Sequence, residues 1–330
     1  MECGKNLFMF KTLLSLRKMY EPYQRYFDLS LVHFMAYPST IGGEGPILET
    51  LAEIAKDPFF TAVEVGRIND GKIRKEASEI LEQAHMRVVF GAQPILLLGK
   101  LNLNSPDEGE RKKAIEAIKG GVDQAHDLNA ERLALLSGPA PEESRREEQK
   151  RLLVDSLKQI CEYAEERGDL GITLETFDPQ TDKAALIGGS HEEAAEIAEA
   201  VKGEGHDFGI LVDLSHLPMQ ALHPPYETPR KALSAVSDHL VHVHIGNCLI
   251  DNPSHLAYGD KHPRFGVGEN DVPEVREFIE ALFDIGFLGG GKRPIVGFEV
   301  SPMKGESSEI VIANAKRVFN QAWAEARRDM

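Results

Sequence analysis

The feature that most constrains this chain is an alternation repeated eight times: a short apolar run, then a longer amphipathic stretch. The runs are Leu29–Met35, Ala62–Val65, Arg87–Phe90, Arg132–Leu136, Gly171–Glu175, Gly209–Asp213, Leu240–His244 and Pro294–Glu299. Each has strand length and is apolar on both faces, which suits a parallel strand covered by helices. The stretches between them carry helix-start signals. Ser190-His-Glu-Glu193 has capping-box spacing, and Ser105-Pro106-Asp107-Glu108 puts proline and acids in a first turn running to about Leu128. Further helices are expected near Pro46–Lys56, Ile73–His85, Glu142–Arg167, Thr228–Ala235, Val272–Ile285 and Ser308–Arg327. Eight βα units without a linker predict an α/β fold, a single-domain (β/α)8 (TIM) barrel over residues 28–330 behind a short N-terminal extension, residues 1–27. An open doubly wound sheet ranks second.

Charge narrows the partners. Thirty-seven Lys+Arg face 53 Asp+Glu, a net −16, and such a field repels nucleic acid unless cations are concentrated at one site. A small molecule is the expected partner. Cys3, Cys161 and Cys248 are scattered and odd in number, so no disulfide framework is expected and a reducing cytoplasm is the default. The apolar segment Leu7–Leu16 is interrupted by Lys11 and lacks a small-residue cleavage site, so no signal peptide is expected. No apolar run approaches the ~20 residues that span a bilayer.

The ionisable residues fall at one end of the strands. Ile172-Thr-Leu-Glu175, Ile210-Leu-Val-Asp213 and Ile295-Val-Gly-Phe-Glu299 end in carboxylates, and Val241-His-Val-His244 ends in imidazole. Any one of these is as readily a helix cap, a surface charge or a core histidine. Together they mean more, because a closed barrel brings all four strand ends to one axis, and buried carboxylates repel unless a cation lies between them. Glu175, Asp213, His244 and Glu299 are therefore the expected ligands of a divalent metal. Carboxylates with one imidazole suit Mn2+, the first expectation, with Mg2+, Co2+ and Zn2+ open. Glu64 and His33, also near strand ends, are expected to contribute to substrate binding.

Leu174-Glu175, Asp213-Leu-Ser-His216, His244-Ile-Gly-Asn247 and Phe298-Glu299, in that order, resemble the xylose isomerase-like barrel superfamily. That group includes sugar isomerases and epimerases, inosose dehydratases and endonuclease IV. The resemblance implies isomerisation or epimerisation of a carbohydrate. A metal on adjacent carbonyl and hydroxyl oxygens would acidify the C–H between them, Glu175 and Glu299 would move protons through an enediolate, and His216 would orient a substrate oxygen. A dehydratase or lyase would use nearly the same residues, and homo-oligomers are common in such barrels.

The loop Gly259-Asp-Lys-His262 with its following G-x-G resembles one that carries ligands of an additional zinc in endonuclease IV. The likeness extends a second-metal set to His216, Asp260 and His262, which would otherwise grip substrate hydroxyls. Arg264, between His262 and that turn, is expected to bind substrate; Asp178 and Lys183 are expected to be solvated loop charges. Gln93 and Ser137 stand where the endonuclease pattern expects histidines, which together with the acidic charge turns the expectation away from DNA cleavage. Cys248 is expected to be packing. Gly286-Phe-Leu-Gly-Gly-Gly-Lys292 spells most of a phosphate loop but follows a helix and precedes a strand, so it is a turn on the barrel's bottom face.

Overall fold

The computed structural model describes residues 21–178, 185–188, 190–220 and 228–326. Cys3, the Leu7–Leu16 segment and Lys183 lie outside the described residues, as does most of the expected N-terminal extension. Eight parallel strands form one sheet: β1 (Asp28–Leu31), β2 (Ala62–Val65), β3 (Arg87–Gly91), β4 (Arg132–Leu136), β5 (Gly171–Glu175), β6 (Phe208–Asp213), β7 (Leu240–Gly246) and β8 (Ile295–Glu299). Consecutive strands pair in parallel from β2 to β8, with a register shift between Ile210 and Leu211 where β6 meets β7, and β8 pairs with β1. The β1/β2 seam is held by the parallel bridge Val32↔Glu64 and by the Thr61 N–H donating to the Leu29 carbonyl at 3.0 Å. The expected (β/α)8 barrel is what forms.

Helices follow the strands as the capping chemistry dictates. The Ser190 hydroxyl accepts from the Glu193 N–H, Thr228 from Lys231, and Asp271 with Glu274 forms a full capping box. One start differs: Asp107, not Ser105, caps the helix Glu108–Asp127, because its carboxylate takes the Glu110 N–H. The first strand is also shorter than its apolar run. It stops at Leu31, and His33–Ala36 turns into a short helix. The Phe34 ring then lies over the tops of β2 and β3, where a side chain on Gly66 would come within 3.0 Å of it and one on Gly91 within 2.5 Å.

The main core fills the layer between sheet and helices, while Ala62, Val89 and Ile295 form a separate small cluster low in the lumen. Below them, charged side chains pair across strand starts: Arg87 with Asp28 and Glu131, both at 2.7 Å, and Arg132 with Asp207 at 3.0 Å. At one side of the outer layer Tyr23, Phe27, Phe59, Phe298, Phe319 and Trp323 pack ring against ring, and the Trp323 indole N–H donates to the Glu21 carbonyl at 3.0 Å. This cluster ties the segment before β1 to the last helix, Ser308–Glu325. Phe319 is its hub, and Phe319→Ala is expected to lower unfolding free energy by about 3–5 kcal/mol in urea titrations, the usual result of emptying an aromatic core position.

Candidate metal centre

The strands deliver their polar termini to one mouth. Glu175, Asp213 and Glu299 end β5, β6 and β8, and on β7 His244 lies in register with Asp213 and Gly297. Potential ligand atoms of Glu175, Asp213, His244 and Glu299 all lie within 4.8 Å of one another. His244 Nδ1 is 2.7 Å from Glu299 Oε2 and 4.0 Å from Glu175 Oε1. Neighbours hold these groups in place: the Gln93 amide donates to Glu175 Oε2 at 2.8 Å, and the Ser215 N–H and hydroxyl donate to Asp213 at 2.8 and 2.5 Å.

A second set adjoins the first and shares Asp213 with it: Asp213, His216 and His262. Nδ1 of His216 faces the Thr176 carbonyl at 2.9 Å, and its ring packs on Phe177, so Nε2 is turned to Asp260, 3.4 Å away, and Asp213, 3.8 Å away. His262 reaches Asp260 at 2.7 Å, Glu299 at 3.5 Å and Asp213 at 3.7 Å. Its backbone is left-handed, with φ 49°, a conformation uncommon for a non-glycine residue. The loop is locked by Asn247, whose amide donates to the Arg264 and Val267 carbonyls, and by Gly268, where any Cβ would lie 2.0 Å from the Cys248 carbonyl oxygen.

The donor set fits a cation. Three carboxylates and an imidazole converge away from water, and Glu175 Oε1, His216 Nε2 and His262 Nδ1 are buried without a hydrogen-bond partner among the described residues. Unmet buried polar atoms are unfavourable, and here they face a common space. The electrostatics agree. Burial, then the charge of Glu299, pushes Glu175 up to about 7. Burial also raises Asp213, and the charge of Glu299 adds to it although His216 opposes the rise. Burial works against ionisation of Glu299 too, but His262 and His244 outweigh it and hold that carboxyl well below its usual range. For His216, His244 and His262, burial disfavours the imidazolium, yet the surrounding carboxylates win and raise all three.

Other residues singled out in the sequence fall elsewhere. Glu64 stands in the lumen behind His244, 1% exposed, with Ser30, His242 and His244 all on its carboxylate. Glu64, expected at substrate, is held by these three donors and contacts a metal-ligand candidate, His244. His33, expected to bind substrate, instead meets the Thr50 hydroxyl at 2.7 Å, and burial lowers it to about 3, so it is a neutral packed imidazole. The Arg264 guanidinium, also expected at substrate, pairs with Glu306 at 2.9 Å on the partly exposed rim. Asp178 is fully buried rather than solvated. Cys248 is buried, and burial raises its thiol, which fits packing. The glycine-rich turn around Gly286–Lys292 helps line a cavity of about 750 Å³ at the N-terminal ends of the strands, opposite the mouth.

Sequence reading passed over Gln93 as a positive contributor, and Ser215 and His242 altogether. His242 had a signal: it stands two residues before His244 on a strand, and so on the same lumenal face.

Because Glu175 binds its proton more tightly folded than unfolded, its contribution to stability is present at acid pH and is lost as pH rises from about 4.5 to about 7. In chelator-treated protein, the stability of wild type relative to Glu175→Gln is expected to fall across that window in urea titrations. A flat difference would contradict the assigned environment.

A family model described as xylose isomerase-like TIM barrel matches residues 52–314. No curated protein matches in sequence. Among solved structures, the IolI protein with a bound zinc atom is 18% identical with a TM-score of 0.67, the match covering 92% of this chain and all of that one. A D-tagatose 3-epimerase-like protein is 20% identical with a TM-score of 0.64, covering 89% of this chain and 99% of that one. The 3-keto-D-glucoside 4-epimerase YcjR from E. coli is 14% identical with a TM-score of 0.62, again covering 89% and 99%. With four-fifths of its length matched by the family model and the barrel formed, the chain belongs to the xylose isomerase-like TIM barrel family.

Proposed function

We propose that this protein is a divalent-metal-dependent isomerase or epimerase of a small carbohydrate, working by proton abstraction next to a carbonyl. The observation that carries the proposal is the convergence of Glu175, Asp213, His244 and Glu299 with buried ligand atoms left unmet. The structural neighbours described as sugar epimerases, and the one described with zinc, support the same reading. Glu175, Asp213, His244 and Glu299 would hold the cation, and the three carboxylates favour Mn2+ over softer ions. When bound, it would supply Lewis acidity toward adjacent carbonyl and hydroxyl oxygens of a substrate.

The chain's own residues divide the remaining work. Glu175 and Glu299 approach from β5 and β8, three strands apart around the ring, so a substrate between them offers each a different face. One takes the C–H proton and the other returns a proton on the opposite side. Their environments already push their proton affinities apart, Glu175 upward and Glu299 downward, as acid and base partners require. We assign His216, Asp260 and His262 to substrate oxygens beside the first ion. The shared Asp213 gives a binuclear site as the second reading, and metal analysis separates the two: one tightly held ion per chain supports the first, two the second. DNA cleavage is disfavoured, since Gln93 and Ser137 stand where the endonuclease pattern has histidines.

The test is exchange of a sugar C–H with D2O, followed by proton NMR across a panel of ketoses with Mn2+ present. Glu175→Gln and Glu299→Gln are each expected to slow exchange by about 10²–10⁴-fold while circular dichroism stays native, the usual loss on removing a general acid or base. Undiminished exchange in either variant would sink the two-glutamate assignment.

A further inference from the structure

We propose that Glu64, seated by Ser30 and His242 inside the barrel, is a positioning residue that fixes the ring tautomer of His244 and thereby sets how tightly the mouth holds its cation. The inference rests on the metal-centre reading and adds to it the buried residues behind His244.

The geometry is specific. His244 presents Nε2 to Glu64 Oε2 at 2.9 Å, while its Nδ1 faces Glu299 and Glu175. With the Nε2 proton donated to Glu64, the Nδ1 lone pair is the one left for a cation, and the ring cannot rotate without breaking that bond. Glu64 is itself immobilised: its other oxygen, Oε1, receives the Ser30 hydroxyl at 2.9 Å and His242 Nε2 at 3.0 Å. The space it fills exists only because β8 carries a glycine. A Cβ on Gly297 would lie 2.3 Å from Glu64 Oε1 and 2.9 Å from the His244 ring.

Glu64, His242 and His244 could on composition alone form a metal cage of their own, since their donor atoms also lie within 4.8 Å of one another. Hydrogen-bond satisfaction says otherwise. Both Glu64 oxygens are met by donors and none of this trio's atoms is among the buried unpartnered ones, whereas the mouth leaves Glu175, His216 and His262 atoms unmet. The lumenal trio is a closed clamp; the demand for a cation lies above it.

Two readouts test this. In Zn2+-loaded protein labelled with ¹⁵N-histidine, long-range NMR should show His244 protonated at Nε2 alone, its Nδ1 given up to the metal, and Glu64→Gln should abolish that single state, because an amide presents a donor as well as an acceptor. Calorimetric titration with Mn2+ should show Glu64→Gln and Gly297→Ala binding about 10–100-fold more weakly than wild type, the typical effect of losing the partner behind a histidine ligand. Ser30→Ala, which removes one donor and no bulk, should weaken binding in the same direction and guards against a misfolded Glu64 variant. Wild type that binds neither Mn2+ nor Zn2+ overturns the metal centre and this inference with it. Wild type that binds, with Glu64→Gln and Ser30→Ala within about threefold of it and the tautomer unchanged, overturns this inference alone.

Discussion

Everything at the mouth of this barrel follows from keeping carboxylates out of water beside one another. Glu64, Glu175, Asp213, Asp260 and Glu299 are all buried around the imidazoles of His216, His242, His244 and His262. Like charges so placed are tolerated only when something positive is shared among them. In the protein alone, protons on His216, His244 and His262 serve, which is why those three are raised. A cation would do the same more effectively and would displace protons from the nitrogens it uses, so metal affinity and proton affinity are two readings of one electrostatic demand.

The scaffold meets that demand by layering. At the strand starts, arginines and acids pair with one another and need no partner from outside. Above them lie the apolar side chains of Ala62, Val89 and Ile295. Next comes a satisfied polar layer around Glu64, and at the strand ends Glu175, His216 and His262 carry buried atoms without a hydrogen-bond partner among the described residues. Glycines mark where the layers interlock: Gly297 admits the Glu64 carboxylate, and Gly91 admits the Phe34 ring.

Much of this was legible in sequence, for reasons that vary by residue. A strand end is a position that periodicity can find, and barrel closure then turns four scattered residues into neighbours, so Glu175, Asp213, His244 and Glu299 could be grouped without coordinates. Side-chain direction beyond the strand is not encoded in periodicity. Glu64 was recognised as near a strand end, but whether its carboxylate turns to the mouth or back to β7 depends on Ser30 and His242, from distant parts of the chain. His33 is similar: its apolar run reads as strand, and only the turn after Leu31 sends its ring to Thr50. Arg264 lies in the expected loop, and a partner 42 residues downstream, Glu306, decides where its guanidinium goes.

Asp213 shows why the site is best understood as one object rather than two. Its Oδ1 is committed to the Ser215 N–H, and its Oδ2, which accepts the Ser215 hydroxyl, is also the atom nearest both His216 and His262. The same residue belongs to the four-residue set with Glu175, His244 and Glu299. A change in charge on either side of Asp213 is therefore felt on the other at contact distance, in surroundings that screen poorly. On the proposed reading, a substrate hydroxyl or an ion between His216 and His262 would alter the field at the carboxylates assigned to the first cation. Binding and chemistry would then be coupled through buried carboxylates, with Asp213 common to both sets and Glu299 3.5 Å from His262.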